Sequence, residues 1–240
     1  MAILSSGPVK MTSLLEKTVA IIAPHRCILC SNYNNIVCNS CIKTLPNIAQ
    51  PLCVFCGAAT QDWQPCAGCA PKTALSHVYV AGLYAGAVKD LIHRFKFEHA
   101  RDAYKPVATF LTTPLPDFNG EWAVVAVPTV AAHIRERSYD HTLLIAKQVA
   151  KSLGLSLERP LERSKNTRQV GADRKARAAV AESIVPRRPL RAKKILLVDD
   201  VCTTGATLNA CAHLLVTLGA TEVRAAVAAW QSRPDTKRDR

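Results

Sequence analysis

The chain has 240 residues, an apolar fraction of 49% and a formal charge of +13. That length allows one large domain or a core with a small companion. No apolar run nears the ~20 residues of a membrane span, and the positive charge suits polyanionic ligands or nucleic acid. Glu16 and Lys17 interrupt the apolar segment near the N-terminus and no small-residue cleavage site follows, so a cytoplasmic protein without membrane attachment is expected.

The first predicted element is a helix over residues 12–22, inside an N-terminal segment of residues 1–24. Leu14, Leu15, Val19 and Ile22 share one side, Thr12 or Ser13 can cap it, and Pro24 stops it. Eight of the ten cysteines follow within residues 25–72. They form four C-x-x-C pairs: Cys27/Cys30, Cys38/Cys41, Cys53/Cys56 and Cys66/Cys69. In a reducing compartment, paired thiolates at this spacing are zinc ligands rather than disulfides. Two such knuckles complete one tetrahedral ion, so eight thiolates make two structural Zn²⁺ sites. The module has few large apolar residues, and metal supplies the stability that burial cannot. Pairing the knuckles in sequence order makes a double zinc ribbon; pairing first with third and second with fourth makes a cross-brace. Spacing admits both, and consecutive pairing is favoured. All-cysteine sites leave no open position for water, so metal catalysis is not expected here.

Residues 77–231 then alternate strand and helix, which predicts an α/β domain with a mostly parallel sheet and helices on its faces. Residues 77–84 read as a strand. A helix opens at Gly86 with Val88, Leu91, Ile92 and Phe95 on one stripe. Its end, His93-Arg94-Phe95-Lys96-Phe97, is basic, which suits a helix C-terminus and an anionic ligand equally. Another helix is expected over 101–112 and a loop over 114–120. Ala123-Val124-Val125-Ala126-Val127 is a second buried strand, broken by Pro128-Thr129. A loop with His133, Arg135, Arg137, Ser138, Tyr139, Asp140 and His141 follows, and cations beyond a strand edge suit a pyrophosphate. Residues 143–153 read as a helix ended by Gly154, and 155–157 as a short strand. Between Glu158 and Lys194 there are 12 Lys and Arg against 4 Asp and Glu. So long and basic a stretch between two anion-facing strand edges reads as a lid, helical over 172–182.

The chain is organised around Lys193-Lys194-Ile195-Leu196-Leu197-Val198-Asp199-Asp200-Val201-Cys202-Thr203-Thr204-Gly205-Ala206-Thr207-Leu208. Its apolar run is a buried strand, and its acids and threonines are expected at the strand's C-terminal edge, where open α/β sheets bind ligands. A hydroxyl- and Gly-rich turn opening a helix cradles phosphate through outward N–H groups and the helix dipole. Carboxylates beside it suit diol hydroxyls or hydrated Mg²⁺. Leu208, Cys211, Ala212, Leu215 and Leu218 continue as a helix to Gly219, and residues 223–230 form a last strand. Residues 232–240 are a disordered basic tail.

The strand and threonine turn resemble the phosphoribosyl pyrophosphate (PRPP) signature of type I phosphoribosyltransferases. With the four Cys pairs, Leu91-Ile92-His93-Arg94-Phe95-Lys96-Phe97, Val127-Pro128, Arg137-Ser138-Tyr139-Asp140-His141 and Gln169-Val170-Gly171, the chain resembles the ComF/GntX family. These are phosphoribosyltransferase-like proteins with an N-terminal cysteine module, linked in some members to competence for DNA uptake. The resemblance implies a type I phosphoribosyltransferase-like fold beside a double zinc ribbon, and a glycosyltransferase reaction on PRPP with Mg²⁺. It assigns Asp199 and Asp200 to the ribose hydroxyls. Thr203, Thr204, Gly205, Ala206 and Thr207 would cradle the 5′-phosphate, and Arg137 would assist at pyrophosphate, with Arg174 and Arg177 closing over it. The family often has Arg-Gly-Phe-Asn-Gln where this chain has Arg-Ser-Tyr-Asp-His from Arg137. Two other classes stand beside the enzyme: a non-catalytic PRPP-binding regulator, and a component of the DNA-uptake machinery that binds single-stranded DNA. The module's few aromatics (Tyr33, Phe55, Trp63) weaken the last.

Overall fold

Elements form where the apolar pattern demands them. In this computed structural model, which describes residues 26–33, 35–98, 100–164 and 183–231, the strands are β1 (His77–Leu83), β2 (Trp122–Ala126), β3 (Ser156–Glu158), β4 (Leu161–Arg163), β5 (Ile184–Pro186), β6 (Lys194–Cys202) and β7 (Glu222–Trp230). The helices are α1 (Asn39–Ile42), α2 (Gly86–Phe97), α3 (Tyr104–Leu111), α4 (Ala131–Arg137), α5 (His141–Leu153) and α6 (Ala206–Thr217). The expected helix over 12–22, the lid helix over 172–182 with Arg174 and Arg177, and the tail over 232–240 lie outside the described residues.

Five strands make one sheet in the order β1-β7-β6-β2-β3, every pair parallel. β6 runs through the middle, with Ile195 aligned to Ala123 on one side and Val223 on the other. A central strand of a parallel sheet is covered on both faces, which is why Ile195, Leu196, Leu197 and Val198 are all fully buried. β4 and β5 pair separately and antiparallel.

Chain direction distributes the helices. The crossovers from β1 to β2 and from β2 to β3 move toward one edge of the sheet, and the crossover from β6 to β7 moves toward the other. Right-handed connections therefore put α2, α3 and α5 on one face and α6 on the opposite face. The reversal falls between β6 and β2. It opens a crevice beyond their C-terminal ends, the switch point where open α/β sheets take ligands.

Two local features differ from the sequence expectation. β6 does not stop at Val198. It stays paired with β7 as far as Cys202 opposite Trp230, because the apolar run of β7 continues beside it. The segment after Pro128-Thr129 is not all loop either: it contains α4, which ends at Ser138 in the left-handed region (φ +64°). Glycine adopts that conformation without strain, and this is the position where the family often has it. Asp140 then caps α5, its Oδ1 accepting from Leu143 N at 3.1 Å, and Gly154 (φ +66°) ends it.

The cysteine module packs onto the sheet rather than standing apart. Ile48 N donates to Ala81 O at 3.1 Å and Val78 N donates to Trp63 O at 2.9 Å, so the module occupies backbone groups of β1, the edge strand. Ile36, Val37, Leu45, Val54 and Trp63 join the same apolar cluster as the sheet.

Candidate functional site at the sheet switch point

Side chains alternate along β6, and this divides the two acids. Asp200 faces α2 and α5, and is 3% exposed. Lys96 Nζ, from the last turn of α2, lies 2.9 Å from each of its oxygens, and His141 Nε2 lies 2.9 Å from Oδ2. Arg137 Nη1 lies 3.1 Å from His141 Nδ1. A guanidinium only donates, so Nδ1 accepts and the ring hydrogen sits on Nε2, the nitrogen close to Asp200, although that approach lacks hydrogen-bond geometry and leaves Oδ2 without a hydrogen-bond partner among the described residues. Burial works against the Asp200 carboxylate, but the Lys96 ammonium and then His141 outweigh it and hold its pKa well below the usual range.

Asp199 is on the other side of the strand, toward α6. Its Oδ1 accepts from Asp200 N at 2.9 Å. Burial, reinforced by the charge on Asp200, pushes its pKa up to about 7. An unfolded Asp titrates near ~4, so the folded state holds this proton through a window where the unfolded chain has lost it. The resulting stability is full below about 4 and is lost as pH rises toward about 7. Asp199→Asn is expected to remove that slope from chemical unfolding measured across the window; an unchanged slope would rule out Asp199 as its source.

The two acids therefore do not converge on one cation. Lys96 donates to Asp200 Oδ1, and Lys96 and His141 both lie at ion-pair distance from Oδ2, so the pair does not fit a directly ligated Mg²⁺ that needs several convergent oxygens. The expected pairing of Asp199 and Asp200 on ribose hydroxyls meets the same division: of the two, Asp199 is partly exposed and Asp200 is buried.

The turn that follows fits an anion. Gly205 (φ +72°) is the left-handed residue before α6, Thr204 Oγ1 accepts from Ala206 N at 3.3 Å, and Ala206 and Thr207 form the first helical turn. Thr203 is exposed. Arg137 is 7% exposed, its guanidinium 5.1 Å above the Phe97 ring, and its Nε has no hydrogen-bond partner among the described residues. Tyr139 stacks on Phe95 and donates to the Phe95 carbonyl. Arg163 Nε donates to Pro128 O at 3.0 Å, tying β4 to the exit of β2. Sequence reasoning noted the basic end of α2 without finding the Lys96–Asp200 pair. The signal was available only as one of several basic residues at a helix end.

The eight module cysteines fall into two groups, Cys27/Cys30/Cys38/Cys41 and Cys53/Cys56/Cys66/Cys69, each with four sulfurs within 4.8 Å of one another. Pairing is consecutive. Cys30 Sγ is 3.7 Å from Cys38 Sγ and Cys56 Sγ is 3.5 Å from Cys66 Sγ, close to the ~3.8 Å between ligands of a tetrahedral ion at ~2.3 Å. Both donor sets fit structural zinc. No helix among the described residues is long and apolar enough to cross a membrane.

Comparison with known families agrees with both parts. The model of the phosphoribosyl transferase domain matches residues 141–240, and that of the double zinc ribbon domain matches residues 18–70. Competence protein F of Haemophilus influenzae is 29% identical over 83% of this chain and 94% of its own length. Competence protein ComFC of Streptococcus pneumoniae is 26% identical over 82% and 89%. A hypoxanthine phosphoribosyltransferase from Staphylococcus aureus overlays with a TM-score of 0.31 at 14% identity, over 58% of this chain and 76% of that one, too loosely to carry an argument. The parallel sheet, its switch-point crevice and the two four-cysteine sites define a phosphoribosyltransferase-like protein with a double zinc ribbon. Within that class the chain is similar to the competence proteins F and ComFC, at 26–29% identity over most of its length.

Proposed function

We propose that the crevice binds PRPP and that the protein displaces pyrophosphate from it toward an acceptor, with Mg²⁺ arriving as part of the substrate. The observation that carries this reading is the Thr203–Thr207 turn, which opens α6 directly beyond the two acids at the switch point. Its backbone N–H groups would hold the 5′-phosphate at the positive end of the helix. Asp199 would take the ribose hydroxyls. Asp200 would act one step back, as the buried counter-ion that fixes Lys96 and, through His141, Arg137. Those two cations flank the place where pyrophosphate would leave as its bond to the anomeric carbon breaks and the acceptor's bond forms. Electrostatic stabilisation of the leaving group is then the main catalytic effect, to which Arg174 and Arg177, outside the described residues, would add their charge.

Calorimetric titration with PRPP and Mg²⁺ tests the reading. Saturable binding is expected, weakened about a hundredfold or more in Asp199→Asn, since losing hydrogen bonds to a charged group costs ~1.5–3 kcal/mol each. Wild-type protein that ignores PRPP would sink the proposal. Binding without pyrophosphate release across a screen of nucleobase and nucleotide acceptors would leave a PRPP-binding regulator. The competence names of the relatives favour a place in DNA uptake, for which a salt-dependent shift of single-stranded DNA is the readout.

A further inference from the structure

The second zinc site is built against the phosphate turn, and the first is not. Its first knuckle is Cys53-Val54-Phe55-Cys56. Val54 is 1% exposed and its carbonyl accepts from Trp230 Nε1 at 3.0 Å, which pins the knuckle to the end of β7. The next residue, Phe55, lies on Gly205. A Cβ added to Gly205 would stand 2.6 Å from Phe55 Cε1 and 2.7 Å from Cδ1. Gly205 is therefore required twice, by its left-handed backbone and by this ring.

The site's other knuckle approaches from a second direction. Cys69 leads into the short turn Ala70–Lys72. There Asn209 of α6 donates from Nδ2 to Lys72 O at 3.0 Å and accepts at Oδ1 from Ala74 N at 3.3 Å. Phe55, Cys69, Lys72, Thr204, Ala206 and Asn209 enclose a cleft of about 230 Å³ between the ribbon and the start of α6. The first zinc site leads elsewhere: α1, which carries Cys41, packs on α3 at a different part of the sheet's cover.

A glycine turn loses much conformational freedom when it closes on an anion. A ring held between two cysteines of one metal ion is fixed before the ligand arrives, and holding the turn in its bound shape lowers the cost of binding. We propose that Phe55 is a positioning residue for the Thr203–Thr207 turn, and that the second zinc site, unlike the first, sets phosphate affinity through it. The affinity part rests on the PRPP reading above; the ordering of the turn does not.

The experiment pairs hydrogen exchange of the amides of residues 201–208 with PRPP calorimetry, on full-length zinc-loaded protein. Phe55→Ala is expected to keep two zinc ions per chain, to speed exchange of the turn about tenfold or more, and to raise the PRPP dissociation constant about tenfold. Phe55→Leu, which keeps an apolar cover, falls between it and wild type. Cys66→Ser reproduces the loss, and Cys38→Ser leaves both readouts within about twofold of wild type. Unchanged turn exchange in Phe55→Ala, or equal loss in Cys38→Ser, overturns the proposal. If the exchange responds as stated and wild-type protein does not bind PRPP, the substrate reading falls and the coupling stands.

Discussion

Stripping both zinc ions will unfold the cysteine module and expose the edge of the sheet. Structural zinc contributes on the order of 10 kcal/mol to a small site. Four sulfurs at each site converge within 4.8 Å, and an ion would cross-link the two knuckles that short turns close only locally. The module's apolar residues are few, and those that are buried, Ile36, Val37, Leu45, Val54 and Trp63, are shared with the sheet. Residues 26–72 should therefore reach unfolded rates of hydrogen exchange when a strong chelator removes two zinc ions per chain. The amides of β1 should lose protection with them, because Ile48 and Trp63 bond to its backbone. A chelator that removes fewer than two ions, or a module that stays protected without metal, would contradict this account.

The second large effect is expected at Lys96→Met. The methionine fills similar volume and removes the charge from an Asp200 that is 3% exposed. Breaking a buried pair by deleting one partner costs about 3–5 kcal/mol, since the other charge stays behind. For a chain of this size that lowers the thermal midpoint by roughly 10 °C. The pH dependence identifies the cause. In wild type the Asp200 pKa is held well below its unfolded value, so the pair's stability is present above about 4 and lost as pH falls through the folded value. Without Lys96 the folded value rises, and the gap between variant and wild type should narrow below pH ~4, where the unfolded carboxyl is already protonated. Adding Asp200→Leu to Lys96→Met should recover part of the loss. A variant with wild-type stability at pH 7, or a gap that does not depend on pH, would mean that the pair is not the source.

The two expectations differ in how far the sequence foretold them. Zinc ligation was legible because it is local: C-x-x-C fixes two sulfurs within one turn, whatever the rest of the chain does. The central strand was legible for a similar reason. An uninterrupted, β-branched-flanked run such as Ile195 to Val198, too short for a helix before Asp199-Asp200 and the glycine turn, suits a strand covered on both faces, and Gly205 before Ala206 marks a turn that opens a helix. The roles of neighbours in space were not legible. Lys96 and Asp200 are 104 residues apart, and the charge at the end of α2 could equally have served the helix dipole. The division of Asp199 from Asp200 follows from strand alternation, but only once β6 is known to continue to Cys202. That depended on β7 being long enough to pair with it.

The two zinc knuckle sets, the parallel α/β pattern and the phosphate-type turn are legible in the chain without its fold, because each is written in residues a few positions apart. The tertiary structure alone decided that knuckles pair consecutively, that the sheet reverses direction between β6 and β2, and that Phe55 closes on Gly205 across 150 positions. The physical reason is common to all three. Local spacing restricts a few backbone angles, whereas the choice among distant partners is made by burial and ion pairing once the whole chain has packed.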